Sequence, residues 1–289
     1  MPDSPLSIGQ CATYAALFEA MAHKPGNVHR GSDFEDLTFA DLATSAVAIG
    51  PVFERAAEQR LGPLVRAAIQ ATWRVVSTNT NLGMVLLMGP LALVPRELPL
   101  ARGIGRVLRA LDRDDARLVY EAIRLAKPGG MGHVEDCDIA GPAPDDLLAA
   151  MQLAADRDLI ARQYTNDFAD VLSIAERLAA CLQQDWSLND AIVRVHLLTL
   201  REHPDSLIVR KCGIEIAKQA AQYASETLRS GNPGDDAYHE ALADLDFWLR
   251  ADGHRRNPGT TADLIAGGLF VALREGMIPW PVHFYPRAR

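Results

Sequence analysis

The side chains of this sequence with chemistry to offer gather at the ends of apolar helical stretches. Lys24-Pro25-Gly26-Asn27-Val28-His29 runs into Arg30, Asp33, Asp36 and Asp41, and Thr78-Asn79-Thr80-Asn81-Leu82-Gly83 opens an apolar run. Gly129-Gly130-Met131-Gly132 leads into Glu135, Asp136 and Asp138. Asp205-Ser206 starts a stretch carrying Arg210 and Lys211, and Arg255-Arg256 precedes Asn257-Pro258-Gly259-Thr260-Thr261-Ala262-Asp263-Leu264. Glycine lets backbone approach a ligand closely, and helix starts turn free N–H groups toward anions. Lysine and arginine hold phosphate oxygens, while neighbouring carboxylates hold Mg²⁺ with its waters or move protons. Junctions of this kind that converge would make a site for a phosphate-bearing ligand.

Each string also has an ordinary structural use. The segment from Lys24 to Asp41 can be a solvated loop in which Asp41 caps the next helix. Thr78 to Asn81 can cap and turn, although a cap needs one such side chain and here there are four. Pro128-Gly129-Gly130 reads as a helix stop, Arg210-Lys211 as a solvated pair, and Asp263 as the capping partner of Thr260. The acids after Gly132 exceed what a helix stop requires and suit a metal or general-base role.

The elements that must position these strings are helices. Apolar residues recur at helical spacing over 12–22, 39–57, 63–76, 97–110, 113–126, 145–156, 158–183, 187–202, 206–229, 235–251 and 260–275. Thr38 with Asp41, Ser187 with Asp190 and Thr260 with Asp263 have capping-box spacing. Leu82 to Val94 reads as a buried helix that kinks or breaks at Pro90. Alternating β-branched runs and hairpin turns are scarce. The expectation is all-α: a single multi-helix, bundle-like domain over 1–289, with a ligand cleft between glycine-marked helix junctions. The tail from Ile278 is expected to pack as an extended strap, burying Trp280, Phe284 and Tyr285.

Composition narrows the partners. The formal net charge of −8 argues against general nucleic-acid binding, so an anionic ligand needs a local basic cluster. Cys11, Cys137, Cys181 and Cys212 are far apart, which suits isolated thiols in a reducing compartment. The N-terminus lacks a signal-peptide pattern, and the apolar stretch 82–94 is too short to span a membrane. A cytoplasmic location without membrane attachment is expected, and homo-oligomerisation is left open.

In order and wording, the strings resemble the triphosphoribosyl-dephospho-CoA synthase family, known from citrate lyase and malonate decarboxylase systems. The matching segments are Lys24-Pro25-Gly26, Asn79-Thr80 with Gly83, Gly129-Gly130 with the acids after Gly132, Asp205 to Arg210, and Pro258-Gly259 through Ala262-Asp263-Leu264. The resemblance implies an all-helical transferase that uses ATP as a ribosyl donor. Adenine leaves C1 of the ribose, and a hydroxyl of dephospho-CoA takes its place. It implies a nucleotide site at Lys24, Gly26, His29, Arg30, Asn79, Thr80, Asn81, Gly129, Gly130, Arg210, Lys211, Asn257, Gly259, Thr260 and Asp263. Glu135, Asp136 and Asp36 are the catalytic candidates, and Asp33, Asp36, Glu135 and Asp136 the candidates for Mg²⁺.

The chain departs from the family pattern in places. Asn81 and Leu82 stand where the family commonly has histidine and lysine, Asn257 where it has histidine, and Asn27 and His29 where leucine and aspartate are usual. That divergence admits two alternatives. One is phosphoribosyl transfer in the biosynthesis of another cofactor, such as tetrahydromethanopterin. The other is a nucleotide-binding regulator without catalysis.

Overall fold

The structure is a computed structural model describing residues 5–128, 139 and 141–285. Among the described residues there are fourteen α-helices and no strand. In chain order they are α1 (Ile8–Met21), α2 (Phe39–Phe53), α3 (Leu61–Trp73), α4 (Leu82–Ala92), α5 (Leu100–Arg109), α6 (Arg113–Ala126) and α7 (Leu147–Ala154). They continue with α8 (Leu159–Thr165), α9 (Ala169–Leu182), α10 (Leu188–Glu202), α11 (Ser206–Cys212), α12 (Ile214–Arg229), α13 (Asp236–Arg250) and α14 (Gly259–Arg274). The all-α expectation therefore holds. No helix among the described residues is long and apolar enough to cross a membrane.

Two helices sit at the centre of the main core. Every residue of α4 is buried, as a helix apolar on all sides must be. Pro90 lies inside its last turn, and the helix runs on to Ala92 instead of breaking there. Helix α14 packs against α9, α1, α4 and α10, meeting α9 through Gly267 and Gly268. A second buried cluster joins α10, α11, α12 and α13 around Leu197, Ile208, Tyr238 and Leu249.

Two expected long helices are each divided. The stretch 158–183 breaks at Asp167 and Phe168, both left-handed, which turns α9 away from α8. The stretch 206–229 breaks at Gly213, whose φ of 88° and ψ of 163° suit only glycine. The capping box at Thr38/Asp41 forms, whereas at Ser187/Asp190 only half does: Ser187 Oγ accepts from Asp190 N and donates to the Asp190 carboxylate. The one at Thr260/Asp263 does not: α14 begins at Gly259 and has no side-chain cap from its own N-cap residue.

The C-terminal strap is present. Leu188 and Asn189 donate their backbone N–H groups to the carbonyls of His283 and Phe284, so the strap covers the start of α10. Phe284 packs on Phe18 and Trp280 on Tyr14, although Trp280 stays 42% exposed and so is only partly buried.

Candidate active site

One carboxylate organises two helix starts. Asp205, fully buried, accepts hydrogen bonds from the N–H groups of Leu207 (2.8 Å) and Ile208 (3.0 Å) at the head of α11. Its other oxygen accepts from the N–H (2.7 Å) and hydroxyl (2.8 Å) of Thr261 at the head of α14. Burial raises the Asp205 pKa, and these four donors oppose the rise. Asp205 thus does the capping that its neighbours suggested for Asp263, and it leaves Asp263 uncommitted.

Asp263 lies on the wall of a cavity of about 900 Å³. Its carboxylate hydrogen-bonds to no described residue. It rests against Gly83, where an added Cβ would overlap it. Burial pushes its pKa well above the usual carboxylate range, and the nearby charges of Glu19, Asp205 and Asp158 push in the same direction. Such a group is a neutral acid where an ordinary aspartate is ionised.

Beside it, Glu19 of α1 reaches the same cavity and pairs with Lys24 at 2.9 Å, both side chains being almost wholly buried. The Lys24 ammonium also donates to the Glu19 carbonyl and to Ala22 O. Burial raises the Glu19 pKa against the attraction of Lys24. Lys24 itself does not line the cavity, and its ammonium is engaged by Glu19 and Ala22.

The rest of the first string divides. Gly26 donates its N–H to Asp246 (2.7 Å), and Arg250 of α13 donates to the Asn27 carbonyl, hooking the segment onto α13. The hook keeps Gly26, His29, Arg30 and Asp33 out of the cavity, while Asn27, Val28, Phe34 and Asp36 reach it. His29 packs on His23, and burial, then His23 and Arg250, lower its pKa to about 4. Arg30 lies over the Tyr285 ring. Asp33 accepts from Phe39 N at 2.6 Å, so its carboxylate faces the start of α2. None of these four lines the cavity.

The second string lies entirely along the cavity. Asn79 caps α4 through Leu82 N, Thr80 donates to Ser45 Oγ (2.6 Å), and Asn81 bonds to Thr72 Oγ1 (2.9 Å). The surplus of polar side chains thus anchors the turn to α2 and α3. Gly129, Gly130, Glu135 and Asp136 lie outside the described residues, although Lys127, Pro128 and Ile139 on either side line the cavity.

From the last two strings, Arg210, Lys211, Asn257, Gly259, Thr260 and Asp263 all reach it. Arg210 pairs with Asp158 at 2.8 Å. Lys127, Arg157 and Arg255 join Arg210 and Lys211, so five cations meet here in a chain of net charge −8. That is the local basic cluster a polyphosphate requires.

Sequence reasoning missed Glu19, Phe34, Arg157, Asp158 and His254, all of which line the cavity. Only Glu19 carried a signal, as a lone acid between Phe18 and Ala20 in an apolar helix.

Comparison with known proteins identifies the family. The profile of the CitG family, described as ATP:dephospho-CoA triphosphoribosyl transferase, matches residues 5–281. A crystal structure from Archaeoglobus fulgidus, of a protein provisionally described as triphosphoribosyl-dephospho-CoA synthase, is 28% identical in sequence. It superposes with a TM-score of 0.63 over 80% of this chain and 98% of that one. No functionally curated protein matched the chain in sequence.

Proposed function

Because the chain belongs to the ATP:dephospho-CoA triphosphoribosyl transferase family, we propose that the cavity against Asp263 is where an acceptor hydroxyl displaces adenine from the ribose of ATP. The observation that carries this reading is the meeting in one cavity of an uncommitted, pKa-raised carboxyl and five cations. The chemistry needs both. The C1′–N9 bond breaks and a C1′–O bond to the acceptor forms, through an oxocarbenium-like state. Adenine is a poor leaving group unless it is protonated as it departs. Asp263, held neutral by its surroundings, gives that proton to the adenine ring and takes the acceptor hydroxyl's proton as the new bond forms. Glu19, fixed by Lys24, is the second carboxylate beside the forming cation. Lys127, Arg157, Arg210, Lys211 and Arg255 hold the triphosphate, which stays attached to the transferred ribose.

Mg²⁺ fits this arrangement as an ion carried on the triphosphate. Such ions usually bind through one or two carboxylates plus substrate phosphates, and Asp36 is an exposed carboxylate that the cavity wall offers.

The test is product analysis. The protein is incubated with ATP, Mg²⁺ and dephospho-CoA, and in parallel with a pterin acceptor, and the products are identified by mass spectrometry. Free adenine together with an acceptor bearing an added triphosphoribosyl group is the expected result. Pyrophosphate release without adenine, or no turnover with either acceptor, refutes the reading. Pyrophosphate released when a pyrophosphate-activated phosphoribosyl donor replaces ATP would point to phosphoribosyl transfer, and nucleotide binding without turnover of either donor to a nucleotide-binding regulator.

A further inference from the structure

The same cavity contains four side chains that the scheme above does not use. Asn27 donates from its amide to Asn257 Oδ1 at 2.8 Å, and both residues line the cavity. Phe34 and His254 also line it, with their rings stacked at 3.8 Å between centroids and 21° between planes. The two pairs are contiguous. The Arg250 guanidinium lies over the Phe34 ring and donates to the Asn27 carbonyl, and Asn257 N donates to the His254 carbonyl.

Two polar atoms in this group are buried without a hydrogen-bond partner among the described residues: Asn27 Oδ1 and His254 Nδ1. An unpaired buried polar atom carries a desolvation cost, so its persistence asks for a partner. His254 is also held in the left-handed region at φ 62°.

An amide pair joined by a single N–H···O bond keeps one acceptor and one donor beside each other. With Asn27 as the donor, the group left free to accept is Asn27 Oδ1 and the group left free to donate is the Asn257 amide. Adenine presents the matching edge, an amino donor at N6 flanked by ring acceptors at N1 and N7, and asparagine reads adenine in this way elsewhere. The stacked rings supply a flat face for the base.

We propose that Asn27 and Asn257, with Phe34 and His254, form an adenine-binding subsite in which the amides read the base edge and the aromatic pair stacks on its face. Both substrates of the reaction proposed above carry adenine, and only the assignment of the base to donor or acceptor rests on that reading. Adenine in this subsite selects the nucleotide by its base, whereas the cations select only phosphate.

Calorimetric titration of free adenine and of hypoxanthine into the full-length protein tests this without requiring turnover. Hypoxanthine replaces the N6 amine with an oxygen and N1 with an N–H, so its edge opposes the amide pair. Wild type should bind adenine roughly tenfold or more tightly than hypoxanthine, as expected when one base-edge contact is mismatched. Asn257→Leu should abolish that preference. His254→Ala should weaken both bases by roughly fivefold or more, the lower end for a lost stacking face, and His254→Phe should restore binding. Titration after preloading with ATP or with dephospho-CoA identifies the source, since whichever blocks adenine supplies the base. Equal binding of the two bases by wild type overturns the subsite, as does unchanged binding in both Asn257→Leu and His254→Ala. So does adenine binding that neither substrate blocks. Adenine selectivity in a protein that transfers no triphosphoribosyl group would retain the subsite and refute the transferase reading instead.

Discussion

Replacing Asp263 with asparagine separates catalysis from stability in a way few substitutions do. The Asp263 carboxylate hydrogen-bonds to no described residue, so the isosteric amide forfeits no visible contact. What it loses is the proton. General acid–base groups contribute about 10²–10⁴-fold to rate, and a loss in that range is expected for Asp263→Asn with ATP and dephospho-CoA. Stability should move the other way. The folded-state pKa of Asp263 is raised, so between its unfolded and folded values the folded protein binds more protons than the unfolded chain. Stability from this group therefore falls as pH rises through that window, and above it the full cost of the buried charge is felt. Asparagine has no such cost. Thermal midpoints of wild type and variant should converge near pH 4, the ordinary aspartate value, and diverge in favour of the variant as pH rises. Adenine release followed by chromatography gives the rate, and melting curves across a pH series give the stability. Wild-type turnover by Asp263→Asn would refute the acid assignment. A variant that melts well below wild type at neutral pH would show that the carboxylate has a structural partner.

Three further outcomes follow from the same geometry. Gly83→Ala places a methyl group against the Asp263 carboxylate and the Ile160 side chain, and should reproduce much of the catalytic defect while helical circular dichroism is retained; unchanged kcat would show that the carboxylate position is unimportant. Lys24→Met strands Glu19 without its partner and should cost about 3–5 kcal/mol in urea denaturation, with most of the loss recovered by adding Glu19→Gln; a stable single variant that binds ATP poorly would return Lys24 to the ligand set. Arg210→Ala should weaken Mg–ATP binding by about 1.5–3 kcal/mol in calorimetry, with a reduced dependence on salt, whereas unchanged affinity would make Arg210 only the partner of Asp158.

What could be read along the chain, and what could not, follows from the range of the interactions involved. Helical periodicity and the caps at Ser187 and Thr38 act over three or four residues, and they appear where expected. The break at Gly213 had a visible residue behind it, but a single glycine is tolerated in many helices, so the long 206–229 pattern concealed it. The break at Asp167 and Phe168 had only a weak signal: aspartate takes positive φ more readily than most residues, but phenylalanine does not. The site shows the same division more sharply. Thr260 and Asp263 have the spacing of a capping box, and local reasoning assigns Asp263 to it. Asp205, 56 residues upstream of Thr261, takes the capping role instead. Lys24 has the opposite history: among prolines and glycines it reads as an exposed phosphate ligand, yet it turns back onto Glu19 in the preceding helix. Asp263, which looked engaged, is free, and Lys24, which looked free, is engaged. Asp205 caps the helix that carries Asp263, which leaves the Asp263 carboxyl unpaired among the described residues, and Gly83 leaves it room.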